Sequence, residues 1–294
     1  MPHKEAKVSM QSPTIPALCP LCGAHASLKF KHMVNGCNVL QCSACGVGLA
    51  QSLVHFDPAA YYTASYFNGG HTDGYSSYVE SAAVRRRDFA TTLDYLCKLA
   101  PAGGRLLEVG CAFGYFLEQA QGHFDCSGIE LSADAVKACH ERGLTSVRHG
   151  AVNDALLHDI GPVDVVVMLD VIEHLESPLA VVIEVARHLK PGGVILMTTG
   201  DFSSPFARLT GKRWRLLTPP QHLWFFSPSS ITSMASIAGL SVEAIDHPAK
   251  FAPLSMAVRK IGKLVGLDIN AEGALSHIGV PINLGDAMRV ALRK

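Results

Sequence analysis

Between Arg105 and Thr199 short apolar runs alternate with helical ones, and this alternation constrains the fold of the 294-residue chain more than any other feature. Strands are expected at Arg105 to Gly110, Cys126 to Glu130, Ser146 to His149, Val163 to Leu169 and Val194 to Thr199. Helices are expected at Tyr115 to Gln121, Ala133 to Arg142 and Pro178 to Leu189. Repeated strand–helix units specify a parallel α/β sheet with helices on both faces. Upstream, a helical pattern from Tyr78 to Leu99 is stopped by Pro101-Ala-Gly-Gly. Downstream the rhythm changes to a helix from Pro228 to Ala238 capped by Ser227, then strands at Leu240 to Asp246 and Ala287 to Leu292, the last expected to run antiparallel. Roughly forty residues separate those two strands, too many for an ordinary hairpin and therefore read as a functional element.

Ahead of this lie two CxxC pairs, Cys19-Pro-Leu-Cys22-Gly and Cys42-Ser-Ala-Cys45-Gly, nineteen residues apart. This is the spacing of a zinc ribbon, in which each tight turn brings two thiolates to one tetrahedral ion, so Cys19, Cys22, Cys42 and Cys45 are the expected ligands of a structural Zn2+. Gly23 and Gly46 follow each pair, where a residue without Cβ relieves the turn. Cys37 lies between the pairs as a spare, and Cys97, Cys111, Cys126 and Cys139, scattered among apolar residues, read as small core hydrophobes.

The chain thus divides into an N-terminal segment with the ribbon (1–56), a Tyr- and Gly-rich cover with a leading helix (57–100), and the α/β domain (101–294) with insertions at 201–226 and 248–285. Lysine and arginine equal aspartate and glutamate at 25 each, and the ribbon holds only Lys29 and Lys31, which argues against nucleic acid as the partner. No apolar run reaches the roughly 18 residues a membrane span needs, and residues 1–16 lack the apolar core of a signal peptide. A cytoplasmic location is the expectation.

The first strand ends in Leu107-Glu108-Val109-Gly110-Cys111-Ala112-Phe113-Gly114, a glycine-rich turn that lets backbone N–H groups approach a ligand. Twenty residues after Gly110, Glu130 closes the second strand, where an acid can accept hydrogen bonds from ribose hydroxyls. With Asp164-Val-Val-Val-Met-Leu-Asp-Val-Ile-Glu-His-Leu175 and Lys190-Pro-Gly-Gly193, these motifs resemble the class I S-adenosylmethionine-dependent methyltransferases over Gly104 to Leu292. The resemblance implies a Rossmann-like fold with S-adenosylmethionine as cofactor. It implies that Gly110, Ala112 and Gly114 wrap the methionine portion, that Glu108 belongs to the cofactor site, and that Glu130, with Leu131 beside it, holds the ribose. Asn153 or Asp154 would lie near adenine, and Leu169 and Asp170 would line the cofactor. Ala112 departs from the pattern, since many members have glycine there.

Methyl transfer to a hydroxyl benefits from a base, and two histidines lie where one is needed. His174 follows the fourth strand, and His222 sits in Thr218-Pro-Pro-Gln-His-Leu-Trp-Phe-Phe-Ser. His174 can also be read as organising, with Glu173, the start of the next helix; His222 can also be read as a packed loop residue. Gln221-His222-Leu223-Trp224-Phe225-Phe226-Ser227 resembles a segment of methyltransferases of glycan and secondary-metabolite pathways and of zinc-bearing sugar C-methyltransferases, which implies that His222 is the base. Gln221 replaces the acid those sugar enzymes carry there. Between Phe202 and Pro220 there is no acid, while Arg208, Lys212, Arg213 and Arg215 surround Trp214, which suits a phosphorylated acceptor. Tyr75, Arg213, Trp214 and Trp224 are the expected acceptor contacts. Residues 251–267, with Arg259, Lys260 and Lys263, read as a basic amphipathic helix that serves as a lid or as a peripheral membrane contact. Asp170 and Glu173 are candidate ligands should transfer need a divalent metal. The expected function is methylation of a small-molecule, glycan or lipid-linked acceptor; the competing readings are an RNA or protein methyltransferase recruited through the ribbon, and a non-catalytic binding protein.

Overall fold

The structure is a computed structural model that describes residues 15–51, 82–100, 103–255, 258 and 278–294. Tyr75, the Tyr- and Gly-rich cover and the cations Arg259, Lys260 and Lys263 lie outside the described residues.

The N-terminal unit is built from β1 (Leu28–Val34), β2 (Cys37–Cys42) and β3 (Gly48–Ala50). β1 and β2 are joined by Asn35-Gly36, both at positive φ (49° and 73°), the backbone that a two-residue turn needs to match the twist of its strands. After helix α1 (Ala82–Leu99) come β4 (Arg105–Val109), α2 (Tyr115–Ala120), β5 (Asp125–Glu130), α3 (Ala133–Glu141), β6 (Val147–His149), α4 (Asp154–Ile160), β7 (Val163–Leu169), α5 (Pro178–His188) and β8 (Leu189–Gly200). The chain continues through α6 (Pro205–Thr210), β9 (Trp224–Phe225), α7 (Pro228–Ile237), β10 (Ser241–Asp246), β11 (Lys250–Pro253), β12 (Gly279–Ile282) and β13 (Ala287–Arg293).

The main sheet has the order β10-β13-β8-β7-β4-β5-β6, parallel from β8 to β6, with β13 and β10 antiparallel at one edge. β7 explains why a continuous apolar run makes a central strand. Val165 and Val167 pack on one side with Leu106, Phe116 and Leu196, while Val166 and Met168 pack on the other with Leu107, Ile195 and Met197. A strand buried on both faces carries no polar alternation. Ser227 caps α7 as expected, its hydroxyl accepting from the Ser230 amide and the Ser230 hydroxyl accepting from the Ser227 amide.

Several expectations need correction. β8 begins at Leu189, so Lys190-Pro-Gly-Gly193 belongs to the strand, and Leu189 already pairs with Val163. Helix α4 was not expected; it hides in seven residues of which Leu157 and Ile160 are buried. The segment from Phe251 starts as strand β11 paired with β12, because its first residues bond across to Gly279–Ile282 rather than along a helix. Cys97 is exposed rather than a core residue, whereas Cys111, Cys126 and Cys139 are buried.

Most consequential is β9, absent from any sequence pattern. It pairs antiparallel with β3, Gly48 opposite Phe225 and Leu49 opposite Trp224, so the sheet of the N-terminal unit runs β1-β2-β3-β9 and draws its fourth strand from the C-terminal half.

Candidate active site

In an open parallel sheet, ligands bind at the carboxyl ends of strands where the strand order reverses. Here the chain runs β4 to β5 to β6 in one direction and crosses back to β7 and β8 in the other, so the crevice opens beyond β4 and β7. Two turns meet there. A Cβ on Gly110 would stand 2.7 Å from Val171 Cγ2, and one on Gly114 would stand 2.3 Å from Leu144 Cδ1; both glycines also have positive φ, 71° and 73°. Neither position accepts a side chain. Ala112 holds the left-handed region at φ 45° without being glycine, and its amide donates to Glu130 Oε2 at 2.8 Å. Glu130 Oε1 accepts from the Ser132 amide at the same distance. Those two bonds tie the end of β5 to the turn after β4 and use one lone pair on each carboxylate oxygen, leaving further acceptor capacity for a ligand.

Glu108 is buried, and its Oε2 has no hydrogen-bond partner among the described residues; burial and the nearby Cys139 and Glu130 push its carboxyl well above the usual range. An orphaned buried oxygen costs free energy unless a ligand meets it. The donor set at the crevice therefore fits a nucleoside cofactor bearing hydroxyl and ammonium groups. Leu131 and Leu169 are half-buried at the ends of β5 and β7. Asn153 is exposed and spends its Oδ1 on capping α4, accepting from the Leu156 amide at 3.0 Å, and Asp154 is exposed beside it.

Asp170, at φ 55°, receives both Lys250 Nζ, 2.7 Å from each carboxylate oxygen, and the Thr198 hydroxyl at 2.8 Å. Lys250 holds the Asp170 carboxyl well below the usual carboxylate range and is itself raised in return. Sequence reasoning had not singled out Lys250. It arrives on β11, from within the long insertion, and the neighbouring Phe251 amide donates to Asp88 of α1 at 2.8 Å.

Beyond Asp170 a 3₁₀ turn, Ile172–His174, carries Glu173 and His174 toward His222. The two imidazoles meet edge to face with centroids 4.7 Å apart. His174 Nδ1 lies 2.9 Å from the Gln221 carbonyl and His222 Nδ1 2.8 Å from the Leu216 carbonyl. A carbonyl only accepts, so each ring carries its proton on Nδ1 and, when neutral, presents the Nε2 lone pair. Desolvation, with His174 adjacent, pulls His222 down to about 4. Burial raises Glu173, whose Oε2 has no hydrogen-bond partner among the described residues. One ligand atom from each of Glu173, His174 and His222 lies within 4.8 Å of the others, close enough to share a proton or a divalent ion. Glu173, one of the two carboxylates expected as metal ligands, is thus a third member of the group, which is completed by His174 and His222.

The expected acceptor contacts divide. Arg213 is exposed on the turn after α6. Trp214 is buried, packs on Phe202 and donates its indole N–H to Asp286 Oδ2 at 2.8 Å, while Arg215 bridges both oxygens of the same carboxylate at 2.8 and 2.9 Å. Trp224 is buried in β9 and stacked on Phe226. Both tryptophans are buried and pack the walls that carry the His222 loop.

The four cysteines of the N-terminal unit converge, with Cys19 and Cys45 sulfurs 3.9 Å apart and Cys22 and Cys42 sulfurs 3.8 Å apart. Sulfurs about 2.3 Å from one tetrahedral ion stand about 3.8 Å apart, whereas a disulfide would need about 2.05 Å. Gly23 and Gly46 have φ of 72° and 81°, as the knuckles require. The set fits a zinc ion.

A family model described as a methyltransferase domain matches residues 81–245. The ubiquinone biosynthesis O-methyltransferase of Xylella fastidiosa is 30% identical over 166 residues, spanning 52% of this chain and 68% of that protein. Its counterpart in Xanthomonas oryzae pv. oryzae is 34% identical over 166 residues, 52% of this chain and 70% of that protein. Among solved structures, the magnesium protoporphyrin IX methyltransferase of Synechocystis, with bound SAH, matches 80% of this chain and 97% of its own with TM-score 0.52 at 12% identity. The YcgJ protein of Bacillus subtilis matches 70% of this chain and 98% of its own with TM-score 0.51 at 19% identity. The two structural likenesses concern the fold alone.

Proposed function

The chain belongs to the methyltransferase-domain family of class I S-adenosylmethionine-dependent enzymes, and on that premise we propose that it methylates a hydroxyl of a small-molecule, glycan or lipid-linked acceptor with His222 as the base. The cofactor supplies a methyl group already activated on a sulfonium, so the protein has chiefly to orient the acceptor and take its proton. Glu108 and the turn Gly110 to Gly114 are assigned to the methionine portion, Glu130 to the ribose, and Asp170 with Leu169 to the wall next to the reacting centre. Asn153, Asp154 and Leu131 are assigned to the rim near adenine.

The reading is carried by the tautomer of His222. Its Nδ1 proton is committed to Leu216, which leaves Nε2 to accept the acceptor hydroxyl's proton as the new carbon–oxygen bond forms. Glu173, buried against the pair, stabilises the resulting imidazolium, and His174 keeps the ring edge-on. The role of its relatives in ubiquinone biosynthesis supports a small-molecule or lipid-linked acceptor over RNA or protein. In the same reading zinc, held by Cys19, Cys22, Cys42 and Cys45, is structural and fixes the unit that supplies β3.

Transfer of labelled methyl from S-adenosylmethionine into cell extract, fractionated into polar metabolites, lipids, nucleic acid and protein, tests this with His222→Ala alongside. Label in the polar or lipid fraction that vanishes in the variant is expected; label in RNA or protein would transfer the assignment to a macromolecular substrate.

A further inference from the structure

Two long segments of the chain contain no aspartate or glutamate, residues 6–56 and 202–242, and the fold sets them against each other. Where β1 meets α6 and the turn Gly211–Arg213, the result is a group of cations that meets no carboxylate among the described residues. Lys31 lies with its ammonium over the Phe202 ring, 4.0 Å from the centroid, and donates to Gln41 Oε1 at 2.8 Å. Burial disfavours the charged forms of Lys31 and His32, and the positive charges of Arg208 beside the first and of Lys31 and Lys212 beside the second add to it. None of Lys31, Arg208, Lys212 and Arg213 makes an ion pair among the described residues, whereas Arg86, Arg142, Arg215 and Arg289 each meet a carboxylate.

A protein that gathers like charges and supplies no carboxylate gives up stability, and a bound anion recovers it. Both segments lead directly to the candidate base. Three residues after His32, Asn35 donates its side-chain amide to the carbonyl of Pro219 at 2.9 Å; four residues after Lys212, the Leu216 carbonyl holds His222. A phosphate held among these cations would therefore be tethered beside the loop that presents Nε2.

We propose that Lys31, His32, Arg208 and Lys212 form a binding site, between the N-terminal unit and α6, for the phosphate or diphosphate group of the acceptor. The inference rests on the methyltransferase reading and narrows its substrate class to phosphate esters. It gives the N-terminal unit a part in recognition, since Lys31 and His32 are its contribution to the site. Three cations and a histidine suit one phosphate or diphosphate group, and a chain of zero net charge does not favour a polynucleotide.

The test is calorimetric titration of the zinc-loaded full chain with inorganic pyrophosphate at physiological salt, with S-adenosylmethionine titrated separately. A saturable isotherm of one site is expected, weakened at least about tenfold in Arg208→Gln/Lys212→Gln, two exposed positions whose change leaves the fold and cofactor affinity intact. Sedimentation with phosphatidylglycerol vesicles, phosphatidylcholine vesicles serving as control, separates the sources of phosphate. Pyrophosphate binding without vesicle capture identifies a soluble phosphorylated acceptor; capture by phosphatidylglycerol that the double variant abolishes identifies a lipid phosphate. An unchanged isotherm in the double variant, or no response to either probe, would overturn the site. Retention of an RNA oligonucleotide far tighter than pyrophosphate would overturn it in favour of a nucleic-acid surface. Failure to bind S-adenosylmethionine would count against the methyltransferase reading instead and leave the phosphate result standing by itself.

Discussion

The amide of Leu223 donates to the carbonyl of Glu173 at 2.9 Å, and the carbonyl of Leu223 accepts from the amide of Ala50 at 2.9 Å. One residue thus joins the main chain of Glu173, the histidine that precedes Leu223 and strand β3 of the N-terminal unit. The position of His222 is set from both sides by main-chain bonds, which side-chain substitutions around it do not remove.

Replacing His222 by alanine is expected to lower kcat by at least about a hundredfold while leaving S-adenosylmethionine affinity unchanged. Turnover measured beside cofactor binding checks this; near-normal turnover would return His222 to a packing role.

The pH dependence follows from the same ring. Its pKa is lowered to about 4 in the folded protein, below the roughly 6.5 of an unfolded histidine, so the unfolded chain binds more protons between those values. The contribution of His222 to stability is complete above about 6.5 and is lost as pH falls toward about 4. Denaturant titrations across that window should show a smaller pH dependence for His222→Gln than for the parent.

Glu130→Ala is expected to weaken S-adenosylmethionine binding by about 1.5 to 3 kcal/mol through lost charge-assisted hydrogen bonds, and to loosen the turn through the missing Ala112 contact. Calorimetry with unchanged affinity would remove Glu130 from the site.

Metal analysis should give about one zinc per chain, lost in Cys42→Ser. Because β9 pairs with β3, the zinc-free protein should also lose methyl transfer more than cofactor binding. A folded protein that holds no zinc would refute the assignment of the four cysteines.

Trp214→Phe keeps the ring against Phe202 but removes the hydrogen bond to buried Asp286, and should cost about 1 to 2 kcal/mol of stability. An equilibrium unfolding curve identical to that of the parent, with a raised acceptor KM, would instead restore Trp214 to the acceptor wall.

The central sheet was readable in the sequence because its signals are local: Val163–Leu169 is apolar but for Asp164, and Gly110 and Gly114 mark a tight turn at positive φ. The cysteine pairs were readable for the same reason. What escaped depends on partners far along the chain. β9 is two residues long and owes its extended form to β3, so it has no period of its own. Arg215 reads as part of a basic loop until Asp286, buried and distant in sequence, is found beneath it. Lys250 looks like any lysine near a proline until β11 brings it to Asp170. Asn35-Gly36 was a legible hairpin signal that the cysteine spacing overshadowed.

The pairing of β3 with β9 also orders the assembly of the molecule. All four thiols and the first three strands are present once residue 50 has left the ribosome, so a metal can close them early, while the fourth is still about 170 residues from being made. The N-terminal unit is then a finished clasp waiting for its strap. Because β9 begins two residues after His222, closing that sheet and positioning the candidate base are one event.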